Sequence, residues 1–181
     1  MRRFIPALAA FGLLQGVAWA QASAPAEAEL KAEFLERFTR FIDWPEGGFK
    51  SPESPFALCL LGQTPLEPYL TRMARTRRIK DRSIQVRMLQ GPGEVEGCAM
   101  VWIPPEASDS LAQVLERTAG KAILTVGDTA GLAERGAHIS MKREGTRLTF
   151  DINVAQAKRS GLRFSSQLLQ LGHVVGGEVP P

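Results

Sequence analysis

Three short runs with hardly a polar residue in them limit what this chain can become: Phe56-Ala57-Leu58-Cys59-Leu60-Leu61, Cys98-Ala99-Met100-Val101-Trp102-Ile103 and Ala122-Ile123-Leu124-Thr125-Val126. Each is too short for a buried helix and fits a strand covered on both sides. Strands of that kind belong to parallel sheets, which are reached through crossovers and roofed by helices. The crossovers are legible. Residues 65–75 read as a helix, with Thr64 as N-cap and Pro65 at the first helical position. Residues 108–118 read as a second, capped by Ser108, with Leu111, Val114 and Leu115 on its inner face. Between them, residues 83–89 alternate Ile84, Val86 and Met88 with polar positions, as a half-covered strand does.

The flanks complete the pattern. Residues 27–42 form an amphipathic helix whose apolar stripe is Leu30, Phe34, Phe38, Phe41 and Ile42; Asp43-Trp44-Pro45 stops it, because a residue before proline avoids helical geometry. After a short helical turn at 132–134, residues 137–142 and 147–152 read as a hairpin with Glu144-Gly145 at its tip. Helices at 154–159 and 165–175 end the fold. The expected class is α/β: a single-domain sandwich with a mixed, partly parallel sheet flanked by helices, and a C-terminal β-hairpin plus helices. The domain spans residues 27–176.

The first twenty residues stand outside that domain. Arg2 and Arg3 precede a mostly apolar stretch, and Ala18-Trp19-Ala20 has the small-x-small form that signal peptidase cuts. Residues 1–20 are therefore read as a signal peptide cleaved after Ala20, sending the chain to the periplasm or beyond. The alternative is an N-terminal anchor, but the apolar part is shorter than the ~20 residues a spanning helix needs. Losing Arg2 and Arg3 reduces 22 basic residues to 20 against 19 acidic ones, a balance that gives nucleic-acid binding no support.

Export bears on Cys59 and Cys98. An isolated pair in an oxidising compartment forms a disulfide when the strands bring it within reach; the alternative is two buried free thiols. A metal pair is not expected, since no histidine or third cysteine lies at ligand spacing.

Catalytic motifs are missing from the chain. It has no Gly-x-Ser-x-Gly elbow, phosphate loop, dinucleotide fingerprint or paired-histidine zinc helix. No catalytic residue, metal or cofactor is expected. His138 and His173 read as structural or surface residues, and Asp128 as a turn or capping residue at a strand's carboxyl end. A secreted enzyme would need Asp128, His138 and a serine hydroxyl to converge. Two binding features stand out. Arg163, Ser165 and Ser166 could receive an anion at a helix start, or Ser165 or Ser166 could simply cap that helix. Trp44, with Arg75, Arg77 and Arg78 from a basic run, could form a partner surface, or the arginines could merely be solvated and Trp44 a lid on the core.

Five segments in order, Phe41-Ile42-Asp43-Trp44-Pro45, Leu58-Cys59-Leu60-Leu61-Gly62, residues 98–103, Leu124-Thr125-Val126-Gly127-Asp128 and residues 150–171, resemble the YfiR family of periplasmic regulators over about residues 30–175. The resemblance implies an α/β protein that dimerises in the periplasm. It also implies repression of a membrane-anchored diguanylate cyclase through that enzyme's periplasmic region, lowering cyclic di-GMP and biofilm formation. An outer-membrane lipoprotein or a redox change would relieve the repression. The chain itself would not be an enzyme. It departs from the family in two places: some relatives carry a second cysteine pair, and a Gly-Gly pair stands where this chain has Gly136-Ala137. With one bridge between core strands, reduction would weaken the fold rather than toggle a surface. A different reading is a periplasmic module binding an anionic or aromatic metabolite.

Overall fold

The computed structural model describes residues 24–177; the expected leader and its cleavage point lie outside them, as do residues 178–181. The order is α1 (Ala24–Arg40), β1 (Ile42–Asp43), β2 (Phe56–Leu61), α2 (Glu67–Ala74), β3 (Arg78–Ile79), β4 (Arg82–Leu89), β5 (Met100–Ile103), α3 (Leu111–Thr118), β6 (Leu124–Gly127), β7 (Ile139–Glu144), β8 (Arg147–Asn153), α4 (Val154–Arg159), β9 (Arg163–Phe164), α5 (Ser166–Leu171) and β10 (His173–Val175). One eight-stranded sheet runs β10-β8-β7-β6-β5-β2-β4-β3, and β1 pairs with β9 in a small ribbon of its own. The central pairs β4–β2, β2–β5, β5–β6 and β6–β7 are parallel, while β7–β8 and β3–β4 are antiparallel hairpins. The mixed α/β sandwich expected from the sequence is present.

The apolar runs are strands because both their faces are covered. In β2, Phe56, Leu58 and Leu60 enter one core with α1, α2, α4 and α5, while Ala57, Cys59 and Leu61 enter a second with α3. β5 divides likewise: Met100 and Trp102 face α1, and Val101 and Ile103 face α3. The chain leaves β2 toward β4 with α2 on the first face. It then crosses back past β2 to β5 and moves on to β6 with α3 on the other. Right-handed crossovers running in opposite directions put their helices on opposite faces. The sheet order therefore reverses between β2 and β5.

Several boundaries differ from expectation, each for a local reason. Residues 165–175 are not one helix. Gly172 is extended after α5, and β-branched Val174 and Val175 pair parallel to Ile152 and Asn153 of β8. A Cβ on Gly172 would come within 2.5 Å of the Phe150 ring, so the chain can pass there only as glycine. Thr64 does not cap α2, which begins at Glu67 with Pro68 in its first turn; the Thr64 carbonyl accepts from the Glu67 amide in the turn before it. Ser108 lies inside a 3-10 turn (Pro105–Ser110) ahead of α3 and does not cap it. The hairpin tip is Gly145-Thr146, since Glu144 still pairs with Arg147.

The first helix also buries a different stripe. Ala28, Ala32, Leu35, Phe38 and Thr39 are covered, with Ile42 just beyond; Leu30 is exposed, and Phe34 and Phe41 are half-buried. The small alanines let α1 lie close to the sheet, and that leaves the larger phenylalanines along its flank.

Candidate functional site

The phenylalanines on that flank border a groove. Its walls are Phe34 and Phe38 of α1, Phe41 just after it, Leu148 and Phe150 of β8, and Leu168 and Leu171 of α5, enclosing about 720 Å³. The rings pack edge to face: Phe38 on Phe150 at 4.9 Å between centroids, and Phe34 on Phe38 at 5.9 Å. Leu171 projects into solvent at 67% exposure, unusual for a leucine beside a phenylalanine floor.

The rim is charged. Arg37, Arg40, Arg77 and Glu33 surround the apolar floor. Arg77 grips Glu33 with two hydrogen bonds at 2.8 and 2.9 Å, which hold the Glu33 carboxyl below its usual range and raise the guanidinium. Arg40 holds Glu36, a buried carboxylate on the same helix, through Nε at 3.1 Å and Nη2 at 2.9 Å. Among the described residues Arg37 has no ion-pair partner and stays exposed. The groove offers a greasy floor under an arginine rim, suited to an apolar segment with acidic neighbours.

The proposed partner surface is divided. Arg77 lines the groove. Arg78 instead donates to the Asp81 carbonyl across a tight hairpin, and Arg75 is exposed without an ion-pair partner among the described residues. The rest of the basic run is also held internally: Arg72 by Glu29, Lys80 by Asp43 at 3.2 Å, and Arg82 by the carbonyls of Ser51, Pro52 and Ser54. Trp44 sits away from the groove, its ring against Phe56 at 5.2 Å and Phe49 at 6.3 Å, on a separate cleft with Lys80 and Arg82.

The three residues considered for an anion are neighbours, but one hydroxyl is already engaged. Ser165 Oγ accepts from the Leu168 amide at 3.2 Å as N-cap of α5, and its own amide donates to the Phe41 carbonyl. Arg163 and Ser166 are exposed on either side. Cys59 and Cys98 form a disulfide with both residues buried, tying β2 to the turn that enters β5.

Asp128 and His138 do not converge. Asp128 turns to Lys31 of α1, 2.7 Å away. His138 lies in β-sheet surroundings between Thr125 and Ser160 with no carboxylate bonded to it. No group of three or more metal-ligating side chains exists among the described residues, and no described helix is long and apolar enough to cross a membrane. Sequence reasoning missed the groove because it assigned Phe34 and Phe41 to the core. Its signal was the excess of large apolar residues on α1: two stripes where one would suffice.

Comparison with known proteins places the chain in context. A family model described as YfiR/HmsC-like matches residues 28–173. No curated protein matches. Two solved structures share the fold at a TM-score of 0.54 and 10% identity: a conserved domain protein from Vibrio cholerae O1 biovar El Tor, over 81% of this chain, and an ABC domain in complex with L-Trp from Streptococcus pneumonia, over 82%. The chain spans about three-fifths of each, 59% and 60% respectively.

Proposed function

This chain belongs to the YfiR/HmsC-like family, and from that premise we propose that it is an exported regulator that works by contact. It restrains a membrane-anchored diguanylate cyclase by binding that enzyme's periplasmic region, so lowering cyclic di-GMP and biofilm formation. The observation that carries this reading is the groove: seven apolar side chains line it, of which Phe34, Phe41, Leu148 and Leu171 remain partly or largely exposed beside an arginine rim. Such a surface suits an interface anchor better than a reaction centre. The partner it fits is an apolar segment, helical or extended, with carboxylates placed to meet Arg37, Arg40 and Arg77.

The chemistry of the interior agrees. The buried Ser160–His138 contact has the wrong polarity for a nucleophile, and Asp128 is held by a lysine on another element. Homodimerisation and release by an outer-membrane lipoprotein are further parts of the proposal.

Two measurements test it together. Deleting the gene in a strain expressing the cyclase should raise cyclic di-GMP. A photo-crosslinking residue at Leu171 should capture the cyclase, whereas the same residue at exposed Glu116 on α3 should not. An unchanged nucleotide level, or equal capture from both positions, defeats the reading.

A further inference from the structure

The reversal of strand order between β2 and β5 opens a crevice at the carboxyl ends of the strands, the place where open α/β sheets take ligands. Here the crevice has a volume of about 240 Å³. Thr64 and Pro65 follow β2 into it, Pro104 and Pro105 follow β5, and Asp128 follows β6. The N-terminal half of α1 lies across the opening with Glu27 and Lys31. The volume is below the 300–1,000 Å³ of drug-sized sites, which restricts it to a guest of roughly ten heavy atoms or fewer.

Its polar groups are not self-satisfied. Lys31 Nζ lies 2.7 Å from Asp128 Oδ2 and 2.7 Å from Glu27 Oε1. Glu27 has a second cation, Arg143 from the hairpin, at 2.6 Å. Burial alone would pull the Lys31 ammonium down, but the two carboxylates outweigh it and raise it, so the cation is firmly held. That leaves Asp128 Oδ1 buried and without a hydrogen-bond partner. Trp102, which forms the inner wall and is only 1% exposed, has its Nε1 buried and unpartnered as well. The Glu106 carboxylate at the rim has no cation partner among the described residues. Two residues that line this crevice thus carry an orphaned acceptor and an orphaned donor, and each bears a desolvation penalty that a hydrogen-bond partner would remove.

We propose that this crevice binds a small amino alcohol, its ammonium held by Asp128 Oδ1 with Glu106 nearby and its hydroxyl oxygen accepting from Trp102 Nε1. The two spare carboxylate positions select for positive charge and against a carboxylate on the guest. Pro65, Pro104 and Pro105 close around its carbon atoms. This site is separate from the groove, and its test does not depend on any partner protein.

The test uses the chain from residue 21 onward and two probes, ethanolamine and 2-amino-1,3-propanediol, followed by the NMR signal of the Trp102 indole N–H and by the Tm. Saturable movement of that signal and a rise in Tm at millimolar probe are expected. N-acetylethanolamine, which lacks the charge, and glycine, which adds a carboxylate, should do neither. Asp128→Asn should weaken binding at least tenfold. Should that variant fail to fold, Trp102→Phe serves instead, read by Tm alone because its indole signal is gone: it keeps an aromatic side chain, removes the donor, and should weaken binding severalfold. Equal responses to N-acetylethanolamine, undiminished binding by the folded variants, or no response to either probe would each overturn the proposal.

Discussion

His138 Nε2 lies 2.9 Å from Ser160 Oγ, and the proton between them belongs to the histidine. The Thr125 amide donates to His138 Nδ1 at 3.1 Å. An amide N–H can only donate, so Nδ1 must present its lone pair, and in the neutral ring the hydrogen sits on Nε2. Ser160 Oγ is therefore an acceptor. A catalytic serine requires the reverse, with the imidazole receiving the hydroxyl proton. The contact pins β7's approach to the end of α4, and with both residues buried it does so out of reach of any substrate.

That arrangement makes stability depend on pH in a window of its own. Burial, with help from the Arg159 charge, lowers the His138 pKa from 6.5 to about 3. The folded value lies below the unfolded one, so the unfolded chain takes up the proton first. The contribution is complete above pH 6.5 and is lost as pH falls toward 3. Well below pH 6.5 the slope should approach ~1.4 kcal/mol per pH unit. Glu27 and Glu33, whose pKa values are lowered from 4.5 by hydrogen bonds to Lys31 and Arg77, add to the loss only at lower pH. Urea titrations between pH 7 and 5.5 should show the decline in the native protein and a nearly flat profile in His138→Gln, which starts less stable. A decline of equal slope in the variant would remove His138 as the cause.

The bridge between Cys59 and Cys98 closes 39 residues of sequence. In the chain-entropy view this restricts the unfolded state by about 4 kcal/mol. The Cys59→Ala/Cys98→Ala double variant should lose a comparable amount, lowering Tm on the order of 10 °C. Because both residues are buried, a mild reductant should act slowly on the folded chain and rapidly once denaturant is added. Fast reduction without loss of stability would point to a redox role instead.

Much of the core was legible because the strands of a parallel sheet are apolar on both sides, and residues 56–61 and 98–103 permit little else. What stayed hidden depends on distance in sequence. Glu29 and Glu33 absorb Arg72 and Arg77 from more than forty residues away, so a run that reads as a free basic patch is in part ion-paired at home. Asp128 reads as a turn residue because its partner, Lys31, is 97 positions earlier. The β1–β9 ribbon and β3 are two residues long, below any periodicity. The β3–β4 turn also lacks the usual glycine or asparagine signal: Lys80 and Asp81 both take positive φ, 50° and 61°.

That turn can be improved. A left-handed conformation costs an ordinary residue about 1–2 kcal/mol, while asparagine tolerates it. Lys80→Asn gives up an exposed ion pair with Asp43, a contact of small value in solvent. The variant should gain roughly 0.5–1 kcal/mol in chemical denaturation. A loss would show that the ion pair outweighs the backbone term.

Gly127 ends β6 where the chain turns toward Asp128. A Cβ there would stand 2.4 Å from Leu132 Cδ2 and 2.6 Å from the Ile103 carbonyl oxygen. The leucine can swing, but the carbonyl belongs to the neighbouring strand and cannot. Gly127→Ala should therefore cost about 1–3 kcal/mol as an overpacked site. It should also shift Asp128 away from Lys31, visible as exchange broadening of the Lys31 amide in NMR spectra. A variant as stable as the native chain would mean that the β5–β6 pairing is softer than its register implies.

Leu171 separates the folding role of the groove from the recognition role proposed for it. Its side chain is 67% exposed, so Leu171→Glu removes little buried area and should change stability by less than about 0.5 kcal/mol. The same change puts a carboxylate over the phenylalanine floor, where an incoming apolar segment would have to desolvate it. Binding to the cyclase's periplasmic region should fall at least tenfold, measured by calorimetry on the purified pair, and cyclic di-GMP should rise toward the deletion level. Phe34→Ala gives a graded comparison: it opens the floor without adding charge and should weaken binding less. If Leu171→Glu binds the cyclase as the native chain does, the regulatory contact lies elsewhere on the fold and the groove is no part of it.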